Sequence, residues 1–205
     1  MTTHSDKQQL RRLLRQLRKA LSQETRRLAT KKINCLLYPF IRRQKRIAVY
    51  WAVGSELSLW SLIVTAQKRG AQVYLPYIEP KKRQLWFTPC PRLPRRHATV
   101  RYLSLHHQNT GKHKIPQFNG CKIRARYLHT MLIPLLGIDH QGNRLGQGGG
   151  YYDATLARFR HRQPLLVGAG FSCQQVGSIQ SEDHDINIPI FVSENGYQYL
   201  NSQHN

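Results

Sequence analysis

The run Ile47-Ala-Val-Tyr-Trp-Ala-Val53 decides the fold, together with the turn at Gly54-Ser-Glu56, a helical stretch from Ser58 to Arg69 that stops at Gly70, and a second run, Val73-Tyr-Leu-Pro-Tyr-Ile78. An unbroken apolar and aromatic run suits a strand covered on both faces, which is how strands of a parallel sheet read. Glycine stops a helix readily because left-handed backbone costs it nothing. Strand, crossover helix and strand over residues 47–78 make a βαβ unit with its strands parallel.

Toward the C-terminus the same grammar repeats. Leu85-Trp-Phe-Thr88 is a short strand after the Lys81-Lys-Arg83 turn, and Met131-Leu-Ile-Pro-Leu-Leu136 is a buried strand end. Leu165-Leu-Val-Gly-Ala-Gly-Phe171 and Ile188-Pro-Ile-Phe-Val192 supply two more strands, with helical character over 154–162. Residues 89–126 read as irregular surface chain with at most one short helix. Toward the N-terminus, Ser5-Asp-Lys-Gln8 has capping-box spacing, and Leu10, Leu13, Leu14, Leu17 and Leu21 mark the apolar face of a first helix. Ser22 caps a second, whose apolar side is Leu28, Ile33, Leu36, Leu37 and Phe40. The expectation is a single three-layer open α/β domain over residues 1–205, Rossmann-like with a mostly parallel sheet. Residues 1–46 form a basic helical pair and 47–205 the α/β body.

The chain has 205 residues, 32 Lys and Arg against 10 Asp and Glu, and a formal charge of +22. The excess is confined: residues 1–126 hold 28 basic and four acidic residues, net +24, while 127–205 hold four and six, net −2. A nucleic-acid partner would therefore engage residues 1–126. No run of 18 apolar residues and no secretory leader is present, so the expected protein is cytoplasmic and free of the membrane. The four cysteines form no C-x-x-C pair, which speaks against zinc and against a disulfide framework.

The chemistry concentrates in Arg144-Leu-Gly-Gln-Gly-Gly-Gly-Tyr-Tyr-Asp153, read as a glycine loop between the strand end at Met131–Leu136 and the helical stretch from Ala154. Glycines let backbone N–H groups approach an anion, and a helix N-terminus adds positive potential. The spacing is neither the P-loop nor the dinucleotide fingerprint. A flexible turn with Asp153 as a helix cap remains the plain alternative. Against it, Arg144 can fork onto phosphate, Asp153 can hold a divalent cation, and Tyr151 and Tyr152 can stack on a heterocycle.

With that segment, the strand ending in Pro134, and the late Glu182-x-x-Asp185, the chain resembles the 5-formyltetrahydrofolate cyclo-ligases, also called methenyltetrahydrofolate synthetases. The likeness begins at Lys7-x-x-Leu10-Arg11, passes Glu56 and Leu75-Pro76, and runs through Phe171 and Gln174. It implies an ATP- and Mg²⁺-dependent closure of 5-formyltetrahydrofolate to 5,10-methenyltetrahydrofolate; the acidic tail of a polyglutamylated folate would be drawn to the basic rim, and a monomer is expected. It also implies that ATP lies on Lys7, Arg11 and the segment Arg144, Leu145, Gly146, Gln147, Gly148, Gly149, Gly150, Tyr151 and Tyr152. Asp153 and Asp185 would hold Mg²⁺, while Trp51, Glu56 and Tyr152 would line the folate pocket. Lys7, Arg144 and Tyr152 are its implied catalytic set. Ser58 and Leu59, Gln117 and Phe118, and Ala154 depart from the family pattern. Two other readings stay open: a basic RNA-binding protein on the same scaffold, and an ATP-dependent enzyme for another formyl or amide substrate.

Overall fold

A computed structural model describes residues 4–79, 83–93, 107–108, 116–118, 120–157, 163–182 and 185–200. Among the described residues the α-helices are α1 (His4–Ala20), α2 (Gln23–Leu36), α3 (Trp60–Lys68) and α4 (Tyr151–Leu156). The strands are β1 (Arg46–Ala48), β2 (Gln72–Ile78), β3 (Leu85–Pro89), β4 (His107–Gln108), β5 (Gln117–Phe118), β6 (Thr130–Pro134), β7 (Gly137–Ile138), β8 (Arg144–Leu145), β9 (Leu165–Ala169), β10 (Ile190–Ser193) and β11 (Gly196–Tyr199). Seven of them form one sheet in the order β11-β10-β9-β6-β1-β2-β3. β2, β1, β6, β9 and β10 are mutually parallel, and β3 and β11 close the two edges antiparallel. The expected mixed α/β domain with a mostly parallel sheet is what the chain adopts.

The βαβ unit stands where the apolar run put it, with a shorter first strand. β1 ends at Ala48, paired with Tyr74 on one side and Met131 on the other. Pro76 and Pro134 lie beyond those partners on the two flanking strands, and a proline offers no N–H to a ladder. Val49 keeps one bond, its N–H to Tyr74 O at 3.0 Å, before the chain leaves the sheet. α3 ends before Gly70, whose φ of +75° confirms the glycine stop. The helix expected over 154–162 starts earlier: α4 spans Tyr151–Leu156, and 158–162 lie outside the described residues.

Helices cover both faces. Ile33, Leu37, Leu62 and Ile63 from α2, α3 and their flanks pack on Leu75, Leu132, Val167 and Val192. On the other face Leu156 of α4 joins Ala125, Leu128, Phe87, Met131, Ile133 and Phe191. α1 belongs to neither layer. Leu14 packs with Leu136, Leu145 and Ile179 at the end of the sheet. Gly137 lets the helix in, since a Cβ there would stand 2.6 Å from Leu14 Cδ1.

The expected apolar face of α1 is corrected by this docking. Leu14 is buried at 1% exposure and Leu10 and Leu21 are half-buried, but Leu13 and Leu17 stand out in solvent at 51% and 44%. The inward stripe is instead Lys7, Arg11, Leu14 and Arg18, spaced three or four residues apart. The helix meets polar loop rims rather than a sheet face, so its cations turn inward. No helix among the described residues is long and apolar enough to cross a membrane.

Candidate active site

In an open parallel sheet the strand order reverses once, and at that point two neighbouring loops leave the carboxyl edge in opposite directions. Here the reversal falls between β1, whose chain continues to β2 on one side, and β6, whose chain continues to β9 on the other. The loop after β1 carries Trp51 to Glu56. The chain after β6 first makes the β7–β8 hairpin and only then the glycine loop. Arg144 and Leu145 are thus β8 itself rather than part of a loop that comes directly after β6.

α1 bridges these loops by one row of cations. Lys7 Nζ lies 2.6 Å from Glu182 Oε1 and 3.5 Å from Asp185 Oδ2. Arg11 Nε donates to Gly146 O at 3.1 Å, and Arg15 donates to Gln147 Oε1 through Nε at 3.3 Å and Nη2 at 3.1 Å. Arg18, only 4% exposed, donates from Nε to Ser55 Oγ at 3.0 Å, and Arg26 of α2 donates to Ser55 O at 2.8 Å. Burial pulls the Arg18 guanidinium below its ordinary range, while the nearby Glu56 carboxylate opposes that shift.

In the glycine loop, Gly148 at φ +100° and Gly150 at +64° occupy left-handed backbone that a side chain would strain. Gly150 takes the N-cap position of α4, and Asp153 sits inside the first turn. Asp153 is therefore not the cap. Its carboxylate accepts two bonds from Arg144 Nη2, at 2.6 and 2.7 Å, while Arg144 Nη1 donates to Pro134 O at 3.3 Å. This ties α4 to β8 and to the end of β6.

Asp185, the second carboxylate assigned to Mg²⁺, accepts from Glu182 N–H at 3.0 Å beside Lys7. Among the described residues no three His, Cys, Asp or Glu side chains gather in one place. The donor type nonetheless suits Mg²⁺, which uses one or two carboxylates and takes the rest of its shell from phosphate and water.

On the β1 side, Glu56 Oε2 accepts Val53 N–H at 2.9 Å and Oε1 accepts Gln147 Nε2–H at 3.2 Å. Burial is the main cause that pushes the Tyr152 phenol well above its ordinary value, with Arg144 opposing and Glu56 adding. Tyr50, buried with its hydroxyl donating to Leu57 O at 3.1 Å, is raised by burial first and then by the charge of Glu56. Glu56 and Tyr152 thus share one electrostatic neighbourhood. Trp51 opens the loop and stands edge-on to Trp60, ring centroids 5.9 Å apart.

The amino-acid pattern places Lys7, Arg11, Arg144 and the loop glycines in one region, and the structure brings them together. The expected site leaves out Arg15, Arg18 and Asp139, and gives Gln147 to ATP without its link to Glu56. The helical spacing from Lys7 and Arg11 carried the signal for the first two. Asp139, 3% exposed, accepts from Gln141 N, Asn143 N, Asn143 Nδ2 and Ile179 N at 2.9 to 3.0 Å, and so joins the β7–β8 turn to the segment leading to Glu182. A cavity of about 530 Å³ lined by Gln67, Val73 and Cys90 lies at the other end of β2, away from all of these groups. Gln117 is described in its backbone alone.

The model of the 5-formyltetrahydrofolate cyclo-ligase family matches residues 3–194. The chain is 32% identical over 154 residues to the 5-formyltetrahydrofolate cyclo-ligase of Haemophilus influenzae, covering 73% of this chain and 75% of that relative. It is 28% identical over 184 residues to the cyclo-ligase of Escherichia coli, covering 88% and 96%. Among solved structures, the 5,10-methenyltetrahydrofolate synthetase of Aquifex aeolicus is similar with a TM-score of 0.75, 24% identity and coverage of 97% of this chain and 95% of that one. The synthetase of Mycoplasma pneumoniae is similar with a TM-score of 0.69, 22% identity and coverage of 92% and 99%. At these identities the structural likeness speaks to the fold.

Proposed function

This chain belongs to the 5-formyltetrahydrofolate cyclo-ligase family, and we propose that it uses ATP to close 5-formyltetrahydrofolate to 5,10-methenyltetrahydrofolate, releasing ADP and phosphate. One observation supports this reading most. The glycine loop stands between a row of cations, Lys7, Arg11 and Arg15, and a carboxylate, Glu56. A triphosphate needs the first and the N–H donors of a pterin need the second.

The formyl oxygen attacks the γ-phosphorus, the bond to the β-γ bridging oxygen breaks, and ADP leaves. The formyl carbon becomes an iminium-type centre bearing a phosphate ester. N10 of the folate then attacks that carbon, the C–O bond breaks, phosphate departs, and the N10 proton is released. Both nucleophiles belong to substrate, so the protein has to position and to neutralise charge. Lys7 and Arg11 lie on one face of α1 and bind phosphate oxygens. Arg144 reaches the charge that builds on the transferring group. Tyr152 keeps its proton, orients the formyl region and, with Trp51, lines the pterin pocket. Glu56 accepts the exocyclic amine and ring N–H of the pterin. Asp153 and Asp185 would hold Mg²⁺, whose contribution is to neutralise phosphate charge; both would release a cationic partner to do so.

The test mixes protein, 5-formyltetrahydrofolate, ATP and Mg²⁺ and follows methenyltetrahydrofolate by absorbance. ATP-dependent product that Arg144→Ala and Lys7→Ala each reduce at least tenfold is the expected result. Absence of product from protein that still binds ATP overturns it and favours another formyl or amide substrate.

A further inference from the structure

Glu56 already has a donor on each carboxylate oxygen, Val53 N–H on Oε2 and Gln147 Nε2–H on Oε1. The amide of Gln147 cannot sit the other way round. Its Oε1 accepts two bonds from Arg15, and a guanidinium has only donors, so the oxygen faces Arg15 and the NH₂ group faces Glu56. The side chain is exposed, and among the described residues its hydrogen bonds are those to Arg15 and Glu56. It therefore occupies the carboxylate by choice of partner rather than by packing.

A pterin presents two parallel donors, its exocyclic amine and a neighbouring ring N–H, and a carboxylate takes such a pair with one bond on each oxygen. We propose that Gln147 is a stand-in for one of those donors in the ligand-free protein, and that the substrate's heterocycle must displace it to reach Glu56. The proposal rests on the reading of Glu56 as the pterin anchor. Gln147 then sets specificity, because a heterocycle with a single donor gains no more from Glu56 than Gln147 already does. It also couples the two substrates. Gln147 lies between Gly146, whose carbonyl Arg11 holds, and Gly148, so the residue that leaves Glu56 belongs to the segment that meets phosphate and stays tied to α1 through Arg15. Coupling of this kind is reciprocal, so folate binding strengthens ATP binding by the factor by which ATP strengthens folate binding.

Calorimetric titration of 5-formyltetrahydrofolate without ATP tests it, using the wild type, Gln147→Ala and Glu56→Ala, with a second ligand whose exocyclic amine is replaced by methyl. Gln147→Ala should tighten the amine-bearing folate about three- to tenfold, the range a net hydrogen bond is worth. The methyl analogue should gain less than twofold. Glu56→Ala should weaken the amine-bearing ligand tenfold or more. Unchanged or weaker binding in Gln147→Ala, or an equal gain for the methyl analogue, overturns the stand-in and leaves the cyclo-ligase reading intact. Unchanged affinity in Glu56→Ala overturns the anchor and the stand-in together, while product formation still reports separately on the reaction.

Discussion

Arg144 holds Asp153 through a single nitrogen, Nη2, which donates to both carboxylate oxygens while the two side chains keep only 6% and 16% of their surface in solvent. The pair fastens the first turn of α4 to β8. Removing one partner of an enclosed pair leaves the other charge without compensation, which costs far more than the pair contributes against an apolar substitute. Asp153→Ala should lose about 3 to 5 kcal/mol of unfolding free energy in urea. Asp153→Asn, which keeps an acceptor, should lose less. An alanine variant within about 1 kcal/mol of the wild type would sink the claim that this pair is structural as well as functional.

Lys7 presents the opposite balance. Its partner Glu182 is 56% exposed, so their contact contributes little to stability. Lys7→Ala should change the urea midpoint by less than the equivalent of about 1 kcal/mol. It should raise the ATP KM tenfold or more with the folate KM within twofold. Steady-state kinetics in each substrate separate these, and a folate-only effect would move Lys7 out of the phosphate site.

Two glycines next to the β7–β8 hairpin in the chain or its contacts should behave differently. Gly142 has φ of +84°, and a Cβ there would stand 2.6 Å from Ile188 O, a backbone atom that cannot swing away. Gly142→Ala should cost about 2 kcal/mol or more, because strain and displacement of the β7–β8 turn add. Gly177 has no heavy atom within 4 Å of the place an alanine methyl would take and ordinary φ, so Gly177→Ala should be neutral or slightly stabilising. Chemical denaturation of both reads the contrast.

Alkali should destabilise the fold through three groups. Burial raises the Cys90 thiol from 9.0 to about 12, and raises Tyr50 and Tyr152 above 10.0. Between the unfolded and folded values the native state binds more protons than the unfolded chain, so unfolding free energy falls as pH rises. Stability is fully present below about pH 9 and is lost progressively toward pH 12. Urea midpoints at pH 8, 10 and 11 should decline in that order, and Cys90→Ala should flatten part of the slope. A pH-independent midpoint over this range would contradict the enclosed environment of these groups.

The central fold was legible because residues 47–78 write it twice, once as an apolar run and once as a glycine stop. The β7–β8 hairpin was not, since two-residue strands leave no period to detect. α1 misled for a physical reason. Its leucines have the spacing of a buried face, but the helix caps loop ends, and there Arg18 gains more from Ser55 than Leu17 would. In the site, Lys7 and Arg11 follow from helical spacing. The link from Arg15 through Gln147 to Glu56 joins residues 132 and 91 positions apart, a separation to which no local pattern is sensitive.

The contact between Lys7 and Glu182 spans 175 positions of chain. At about 5 to 20 residues per second of synthesis, the helix waits roughly 10 to 35 s for the loop that receives it. The βαβ unit has both its strands long before then. The Lys7 contact therefore forms only after β1, β2, β6 and β9 have all been made, so the N-terminal end of α1 is fixed last although it is synthesised first.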